Sequence, residues 1–250
     1  MGRRFAFANQ KGGVGKTTTT VNLAAYLALS GRKVLVIDFD PQGNATSSVG
    51  AEASPSIYQA VIGAVDVSEV IVTTSIPGLS IAPGGIELSG ASVELADAHG
   101  REGYLKRVLK GATAPFDDVL IDCPPSLGLL TINALVAATH VVIPLQCEYL
   151  ALEGLAMLLR TIEGVQRRHN KKLRVGGIVF TMYDGRTRLT HEVVREVTGY
   201  FQDQVFRTVI PRNVRLAEAP SHAQPICEYA PSSIGARSYR QLAAEFVSRV

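Results

Sequence analysis

Short apolar runs alternate with longer amphipathic segments along most of this chain. Six short runs have the look of buried parallel strands, and most of them are β-branched or aliphatic on both faces. They span residues 5–9, 33–40, 79–84, 118–124, 140–145 and 175–182. Five segments carry apolar residues at helical spacing, namely 16–30, 128–138, 152–169, 187–201 and 236–249. This alternation predicts an α/β fold with a doubly wound, mostly parallel sheet and helices on both faces.

Between residues 50 and 100 the pattern is less regular, with Gly and Ser interrupting short helices. We see no linker, repeat or low-complexity segment in the 250 residues, so we expect one domain over residues 1–250. Hydrophobic residues make up 46% of the chain, which is enough for a packed core. The first apolar run is too short for a signal peptide, and no apolar stretch reaches the roughly 18 residues of a membrane-spanning helix. We therefore expect a soluble, cytoplasmic protein.

Cysteine spacing and charge distribution narrow the function further. Cys123, Cys147 and Cys227 form no CxxC pair, which argues against a zinc site and a disulfide framework and fits a reducing compartment. The net charge of +3 is uneven, because residues 160–215 hold twelve Lys or Arg and five Asp or Glu, a local net charge of +7. Such a segment forms either solvated helix faces or a surface for a polyanion.

The sequence NQKGGVGKTT, residues 9–18, joins the first predicted strand to the first predicted helix. That context is the one a phosphate-binding loop requires. Its three glycines free the backbone to turn N–H groups toward a phosphate, and the start of the helix adds a positive dipole end. Lys16 can reach the β- and γ-phosphates, and the Thr17 hydroxyl can hold Mg²⁺. The predicted nucleotide-binding residues of this loop are Gln10, Lys11, Gly12, Gly13, Val14, Gly15, Lys16, Thr17 and Thr18.

The loop departs from the plain G-x-x-x-x-G-K-[ST] motif, because Gln10 replaces its first glycine and Lys11 adds a second lysine. KGGVGKTT resembles the deviant Walker A motif of the family that includes ParA/Soj, MinD, the nitrogenase iron protein and the arsenite-pump ATPase. This resemblance implies a P-loop NTPase that binds ATP and Mg²⁺. It also implies that Lys11 touches the phosphates bound by the other subunit of a homodimer, so that ATP binding drives dimerisation. A contact within its own chain, or solvent exposure, is the alternative for Lys11.

Three aspartates come at the ends of predicted strands. Asp38 and Asp40 end the second strand, and Asp122 ends the run VLID. Because ligands of open α/β sheets bind outside the carboxyl ends of the strands, we expect all three near the phosphate loop. DFDPQGN and DCPPSLGLLTINAL resemble the ParA/Soj pattern, which implies that Asp40 orients the attacking water and that Asp38 and Asp122 lie at the Mg²⁺. The predicted catalytic residues are Lys11, Lys16 and Asp40, and the predicted metal residues are Thr17, Asp38 and Asp122.

The remaining chemistry is sparse. The five histidines are isolated in the sequence, and we find no Ser/His/Asp set and no metal-ligand cluster. Catalysis then reduces to positioning water and neutralising phosphate charge. Since no arginine finger is evident, we expect slow intrinsic ATP hydrolysis that a partner stimulates.

The segment TVIPRNVRLAEAPS, residues 208–221, also resembles ParA/Soj proteins. The resemblance implies that Pro211 and Asn213 lie against the adenine of ATP, and an ordinary strand-to-helix turn is the alternative. In Soj-like proteins, arginines at the positions of Arg186 and Arg215 form a DNA-binding surface, which Arg188 would extend here. Such contacts would go to phosphates, without sequence preference and with strong salt dependence.

The resemblance covers nearly the whole chain and is loosest over residues 50–110. It favours a DNA segregation protein whose ATP-bound dimer binds non-specific double-stranded DNA at the nucleoid and is reset by hydrolysis that a ParB-type centromere-binding partner stimulates. A MinD-like membrane switch is the alternative. However, Tyr239, Leu242, Phe246 and Val250 share one face of a tail of mixed charge, which indicates a packed helix without stable membrane association. An iron–sulfur carrier is less favoured, since the cysteines lack cluster-type spacing.

Overall fold

The computed structural model describes residues 2–95 and 97–249. Within them, seven strands form one sheet in the order β3-β4-β2-β5-β1-β6-β7, and every pairing is parallel except the short antiparallel pair β3–β4. The strands are β1 (Arg3–Phe7), β2 (Val34–Asp38), β3 (Val72–Thr73), β4 (Leu79–Ala82), β5 (Asp118–Asp122), β6 (His140–Gln146) and β7 (Arg174–Thr181). All six predicted strands are present, and the predicted mostly parallel α/β sheet is confirmed.

Helices connect these strands and follow the last one. They are α1 (Lys16–Leu29), α2 (Asn44–Ser48), α3 (Ile57–Val61), α4 (Val67–Val70), α5 (Leu88–Glu94), α6 (Tyr104–Val108), α7 (Leu129–Ala137), α8 (Ala151–Arg168), α9 (Arg188–Phe201), α10 (Val214–Glu218), α11 (Ile226–Tyr229) and α12 (Ile234–Arg249). The five predicted helices correspond to α1, α7, α8, α9 and α12. Short 3₁₀ turns cover Arg101–Gly103, Gln202–Gln204 and Ala219–His222.

Apolar side chains cover both faces of the sheet. Successive strand residues point to opposite faces, so Phe5 and Phe7 of β1 pack into one core with α1 and α12. Ala6 and Ala8 face a second core built with α7 and α8. The predicted arrangement of helices on both faces is therefore present, which explains why the parallel strands are apolar throughout.

The tail helix α12 belongs to the first of these cores. Tyr239, Leu242 and Phe246 are each at most 1% exposed, and all three pack in that core. Val250, predicted to lie on the same face, is outside the described residues. The apolar face of this helix is thus covered by the protein's own core, as expected of a packed helix.

The strand register brings the candidate residues to one edge of the sheet. Asp122 of β5 lies opposite Phe7 of β1 on one side and Asp38 of β2 on the other. The six parallel strands β1, β2, β4, β5, β6 and β7 therefore end at the same edge, the carboxyl edge, and the loops that follow them meet there. Gly84, after β4, approaches β2 so closely that a Cβ atom would collide with the backbone oxygen of Asp38.

Candidate active site

The phosphate loop wraps around the start of α1. Gly13 and Gly15 have φ angles of 73° and 82°, in the left-handed region that favours glycine. The amide of Thr19 donates to the Gly15 carbonyl at 2.9 Å, which closes the first turn of α1. The Thr181 hydroxyl at the end of β7 donates to the Val14 carbonyl at 2.8 Å and fastens the loop to the sheet.

Lys16 lies inside this loop, where it is 6% exposed. Its Nζ donates to the backbone carbonyl of Lys11 at 3.1 Å, so the side chain folds back along the loop. Burial lowers the pKa of Lys16, while the nearby negative charges of Asp122 and Asp40 oppose that shift. An ammonium group held here is suited to neutralise the charge of a phosphate that the loop surrounds.

Asp122 receives hydrogen bonds from two hydroxyls of α1. Thr17 Oγ1 donates to one carboxylate oxygen at 2.6 Å, and Thr20 Oγ1 donates to the other at 3.2 Å. Burial, followed by the nearby charge of Asp38, raises the pKa of Asp122. The Thr17 hydroxyl and the buried Asp122 carboxylate together offer hard oxygen ligands, and a cation would neutralise the buried carboxylate. Both properties fit Mg²⁺. The predicted pair Thr17 and Asp122 is therefore brought together, and Thr20 joins it.

Asp38 is fully buried and bonded to its own loop. Its Oδ2 accepts from the Thr46 amide at 2.8 Å and from the Thr46 hydroxyl at 2.7 Å, while Oδ1 accepts from the Asp40 amide at 3.3 Å. Burial raises the pKa of Asp38, and the bonds from Thr46 oppose the shift. These contacts shape the loop that carries Asp40. A direct role of Asp38 at a metal stays a prediction.

Asp40 shares a cavity of about 280 Å³ with the phosphate loop. Its Oδ1 accepts from the Gln42 amide at 3.0 Å, and the residue is 5% exposed. The loop residues that line the same cavity are Gly12, Gly13, Gly15, Lys16, Thr17 and Thr18. The structure thus brings the predicted catalytic carboxylate into the cavity that contains Lys16 and Thr17. Gln10 precedes these residues, and its buried Oε1 has no hydrogen-bond partner among the described residues.

A second cavity of about 170 Å³ continues from the first, because both are lined by Gly15, Thr18 and Met182. Pro211 and Asn213 form part of its wall. Asn213 is also the N-cap of α10, since its Oδ1 accepts from the Arg215 amide at 2.9 Å. The amide oxygen of Asn213 is therefore used within the protein, while its NH₂ group is available to donate a hydrogen bond to a ligand.

Sequence analysis predicted four of the residues that line this second cavity and missed the others, among them Tyr239. Tyr239 of α12, predicted only as an apolar position of the tail, lines the cavity and hydrogen-bonds the Thr19 hydroxyl at 3.1 Å. The one available signal was the phenol group itself, because a buried tyrosine hydroxyl usually finds a partner.

Lys11 contacts its own chain. Its Nζ forms an ion pair with Glu148, which follows β6, and both side chains are about two-fifths exposed. The Lys11 amide donates to Asn9 Oδ1 at 3.0 Å, which fixes the backbone of the loop start. A contact within the chain was the alternative to a contact across a dimer. The contact across a dimer stays a prediction, and Glu148 is a site residue that sequence analysis missed.

The three predicted DNA-binding arginines are exposed, with 89%, 93% and 60% of the Arg186, Arg188 and Arg215 side chains accessible. Each forms an ion pair with a nearby carboxylate, in the pairs Arg186–Asp184 at 2.7 Å, Arg188–Glu192 at 2.8 Å and Arg215–Glu218 at 2.9 Å. Hydrogen bonds from Arg186 hold the pKa of Asp184 well below its usual range.

Backbone pairing brings two of these arginines to one side of the carboxyl edge. The Tyr183 amide donates to the Ile210 carbonyl at 3.0 Å, and Tyr183 forms a parallel bridge with Pro211. The loop that carries Arg186 therefore runs beside the segment that leads to Arg215. Arg188, the first residue of α9, follows Arg186 by two positions.

The cysteines lie away from this chemistry or are buried. Cys123 and Cys147 are buried, Cys227 is half-buried, and burial raises the pKa of each thiol, to about 11 for Cys147 and Cys227. Among the described residues, no His, Cys, Asp and Glu side chains form a metal-binding group of three or more. Over the same residues, no helix is long and apolar enough to span a membrane.

Comparisons with known proteins agree with this geometry. A family model described as an AAA domain matches residues 2–175. The chromosome-partitioning ATPase Soj of Treponema pallidum (strain Nichols) is 55% identical over 249 residues, which cover 100% of this chain and 98% of that protein. The sporulation initiation inhibitor protein Soj of Bacillus subtilis (strain 168) is 52% identical, over 98% of each chain.

Solved structures match over almost the full length. A Mycobacterium smegmatis structure named cobyrinic acid a,c-diamide synthase, with bound ADP and magnesium, has a TM-score of 0.84 at 40% identity and covers 98% of this chain and 93% of its own. The cell division ATPase MinD of Pyrococcus furiosus has a TM-score of 0.84 at 27% identity and covers 100% of both chains. The phosphate loop, the sheet and the full-length similarity agree, and the chain belongs to the Soj/ParA family of chromosome-partitioning ATPases, within the MinD/ParA group of P-loop NTPases.

Proposed function

We propose that this chain is an ATP-dependent DNA segregation protein. ATP binding drives a sandwich homodimer, the dimer binds DNA without sequence preference at the nucleoid, and slow hydrolysis, stimulated by a ParB-type centromere-binding partner, resets it. One observation carries the proposal. At the carboxyl edge, the phosphate cavity continues into the second cavity, and the wall of that cavity continues into the exposed arginines.

Nucleotide binding follows from the two joined cavities. The phosphate loop and Lys16 hold the phosphates, while Pro211 packs on the adenine and the Asn213 NH₂ group donates to it. Thr17 and Asp122 would hold Mg²⁺, which when bound neutralises charge on the phosphate oxygens. Because both cavities are lined by Gly15 and Thr18 at the start of α1, one nucleotide can occupy the two together, with its phosphates in the first and its base in the second.

Asp40 is the residue that positions water for hydrolysis. The Gln42 amide holds one of its carboxylate oxygens, which leaves the other to accept a hydrogen bond from water in the phosphate cavity. A fixed carboxylate contributes by orientation and by accepting a proton. Because the family resemblance supplies no arginine finger within the chain, basal hydrolysis is slow and a partner has room to accelerate it.

Lys11 connects nucleotide binding with dimerisation. Its ion pair with Glu148 is solvent-exposed, and exposed pairs contribute only about 0–1 kcal/mol. A triphosphate bound to a second subunit offers Lys11 a more highly charged partner. Exchange of Glu148 for that phosphate makes the dimer depend on the presence of ATP.

The basic segment supports DNA over lipid as the surface that the dimer binds. Residues 160–215 carry a net charge of +7, and Arg186, Arg188 and Arg215 are exposed. The alternative, a MinD-like membrane switch, needs an apolar helix face available to lipid. In α12 that face is buried in the core, which favours DNA.

The test is DNA binding measured with ADP, with a slowly hydrolysed ATP analogue and with neither, over a salt series, with light scattering in parallel. We expect DNA binding and a monomer-to-dimer shift only with the analogue, and loss of DNA binding in Arg186→Ala and Arg215→Ala. Equal DNA binding with the analogue, with ADP and without nucleotide would contradict the proposed dependence of DNA binding on ATP. No DNA binding in any state, together with analogue-dependent binding to phosphatidylethanolamine–phosphatidylglycerol vesicles, would replace the proposal with the membrane switch.

A further inference from the structure

One arginine at the carboxyl edge differs from the three predicted for DNA. Arg212 is exposed, and its side chain makes no hydrogen bond or ion pair with any described residue. Arg186, Arg188 and Arg215 each face a carboxylate at 2.7–2.9 Å. A guanidinium and the carboxylate paired with it have no net charge together. These three pairs therefore attract an approaching polyanion only weakly. Arg212 provides positive charge that is not engaged in an ion pair with any described residue.

The position of Arg212 is set by the chain on both sides. Its amide donates to the Tyr183 carbonyl at 3.4 Å, so it lies beside the loop that carries Arg186. It also precedes Asn213, the cap of the helix that carries Arg215. Arg212 is also close enough to Asp184 to act on it electrostatically. Hydrogen bonds from Arg186 are the main cause of the lowered pKa of Asp184, and the positive charge of Arg212 lowers it further. Arg212 therefore belongs to the same cluster as Arg186 and Arg215.

We propose that Arg212 is a DNA-phosphate contact of this surface, in addition to the arginines predicted from the sequence. The inference rests on the proposed function, because it needs the ATP-bound dimer to bind DNA. Arg186 and Arg215 must exchange a carboxylate for a phosphate when DNA arrives. Arg212 has no ion pair to break, so its contact with a DNA phosphate is not offset by the loss of a carboxylate partner. Its neighbours Pro211 and Asn213 line the second cavity, so a bound base packs against the backbone on both sides of it.

Arg212 also lines that cavity itself, so a contact with the bound nucleotide is the competing role. The two roles differ in what they require. A nucleotide contact affects ATP affinity and dimerisation, whereas a DNA contact affects only the affinity for DNA and its dependence on salt.

The experiment compares wild type with Arg212→Gln, each bound to the slowly hydrolysed analogue, on two unrelated DNA duplexes over a salt series. Each lost phosphate contact makes the slope of log K against log salt shallower by about 0.9, which is about 1.8 for a dimer. At 0.1 M salt this corresponds to about tenfold weaker binding for each contact. We expect this loss to be equal on both duplexes, with analogue affinity and dimer mass unchanged.

Two further variants isolate the contact. Arg212→Lys keeps the charge and should restore the salt slope. Lys110→Gln removes one exposed positive charge outside residues 160–215 and should leave the slope as in wild type. If Arg212→Gln behaves like Lys110→Gln while wild type binds DNA, the inference is wrong and the proposed function stands. If Arg212→Gln weakens analogue binding or dimerisation, the nucleotide role replaces it. If wild type binds no DNA in any state, the proposed function itself fails.

Discussion

Replacing Thr46 by valine tests whether Asp38 holds the loop that carries Asp40. The Thr46 hydroxyl is buried and serves two groups, since it donates to Asp38 at 2.7 Å and accepts from the Gly84 amide at 2.9 Å. Valine has nearly the same shape, so the substitution leaves no cavity. It removes a hydrogen bond to a buried carboxyl group and leaves the Gly84 amide without its acceptor.

The magnitude follows from those two losses. A hydrogen bond to a charged group contributes about 1.5–3 kcal/mol, and an unsatisfied buried donor costs about 1–3 kcal/mol. We therefore expect Thr46→Val to lower the free energy of unfolding by about 2.5–6 kcal/mol. We also expect at least about tenfold slower ATP turnover, since misplacing a catalytic group by about 1 Å has large effects.

Ser48→Ala is the matched control, because Ser48 lies in the same helix α2 and its hydroxyl donates only to the Asn44 carbonyl one turn earlier. Its loss should lower the free energy of unfolding by less than about 1 kcal/mol. Both variants are measured by urea unfolding and by phosphate release. The reasoning is refuted if Thr46→Val unfolds within 1 kcal/mol of Ser48→Ala, because Asp38 and Gly84 would then have found other partners.

Two further substitutions separate hydrolysis from dimerisation. Asp40→Asn keeps the shape of the side chain and the bond from the Gln42 amide but removes the basic carboxylate. We therefore expect ATP turnover to be at least about 100-fold slower, with the affinity for the ATP analogue unchanged in calorimetry. Normal turnover would exclude Asp40 as the water-positioning residue. Glu148→Gln removes the ion pair of Lys11, which contributes about 0.2–1 kcal/mol. On the proposed function, this substitution should tighten the ATP-dependent dimer by up to about fivefold per subunit in sedimentation experiments. A weaker dimer would mean that Glu148 itself contributes to the interface.

The fold was predictable because its signals are local. A parallel strand covered on both faces is a continuous apolar run, and this identified six of the seven strands in the described residues. The strand that was missed, β3, has two residues, Val72 and Thr73, both exposed, so it carries no apolar signal. Helices α10 and α11 have five and four residues, which is too short for a helical period to appear.

The core of the candidate site was also predictable, since its residues follow strands at fixed spacing. Parallel strands that end at one edge bring Asp40, Asp122 and the phosphate loop together once the sheet is known. The residues that were missed act through contacts between distant parts of the chain. Lys11 and Glu148 are 137 residues apart, and Thr19 and Tyr239 are 220 apart. No periodicity links such pairs, because they meet only after β6 has joined the sheet and α12 has packed against it.

Asn213 has two roles, because it caps α10 and also lines the second cavity. The alternative for this segment was an ordinary strand-to-helix turn, and in the structure Asn213 does cap α10, with its oxygen accepting from the Arg215 amide. The same side chain forms part of the wall of the second cavity, to which Arg212 also contributes. On the proposed function, a base that takes the free NH₂ group of Asn213 therefore stabilises the start of α10 and the backbone of both neighbouring arginines. Nucleotide binding and DNA binding then share a residue, and ATP can influence DNA affinity within a subunit as well as through the dimer.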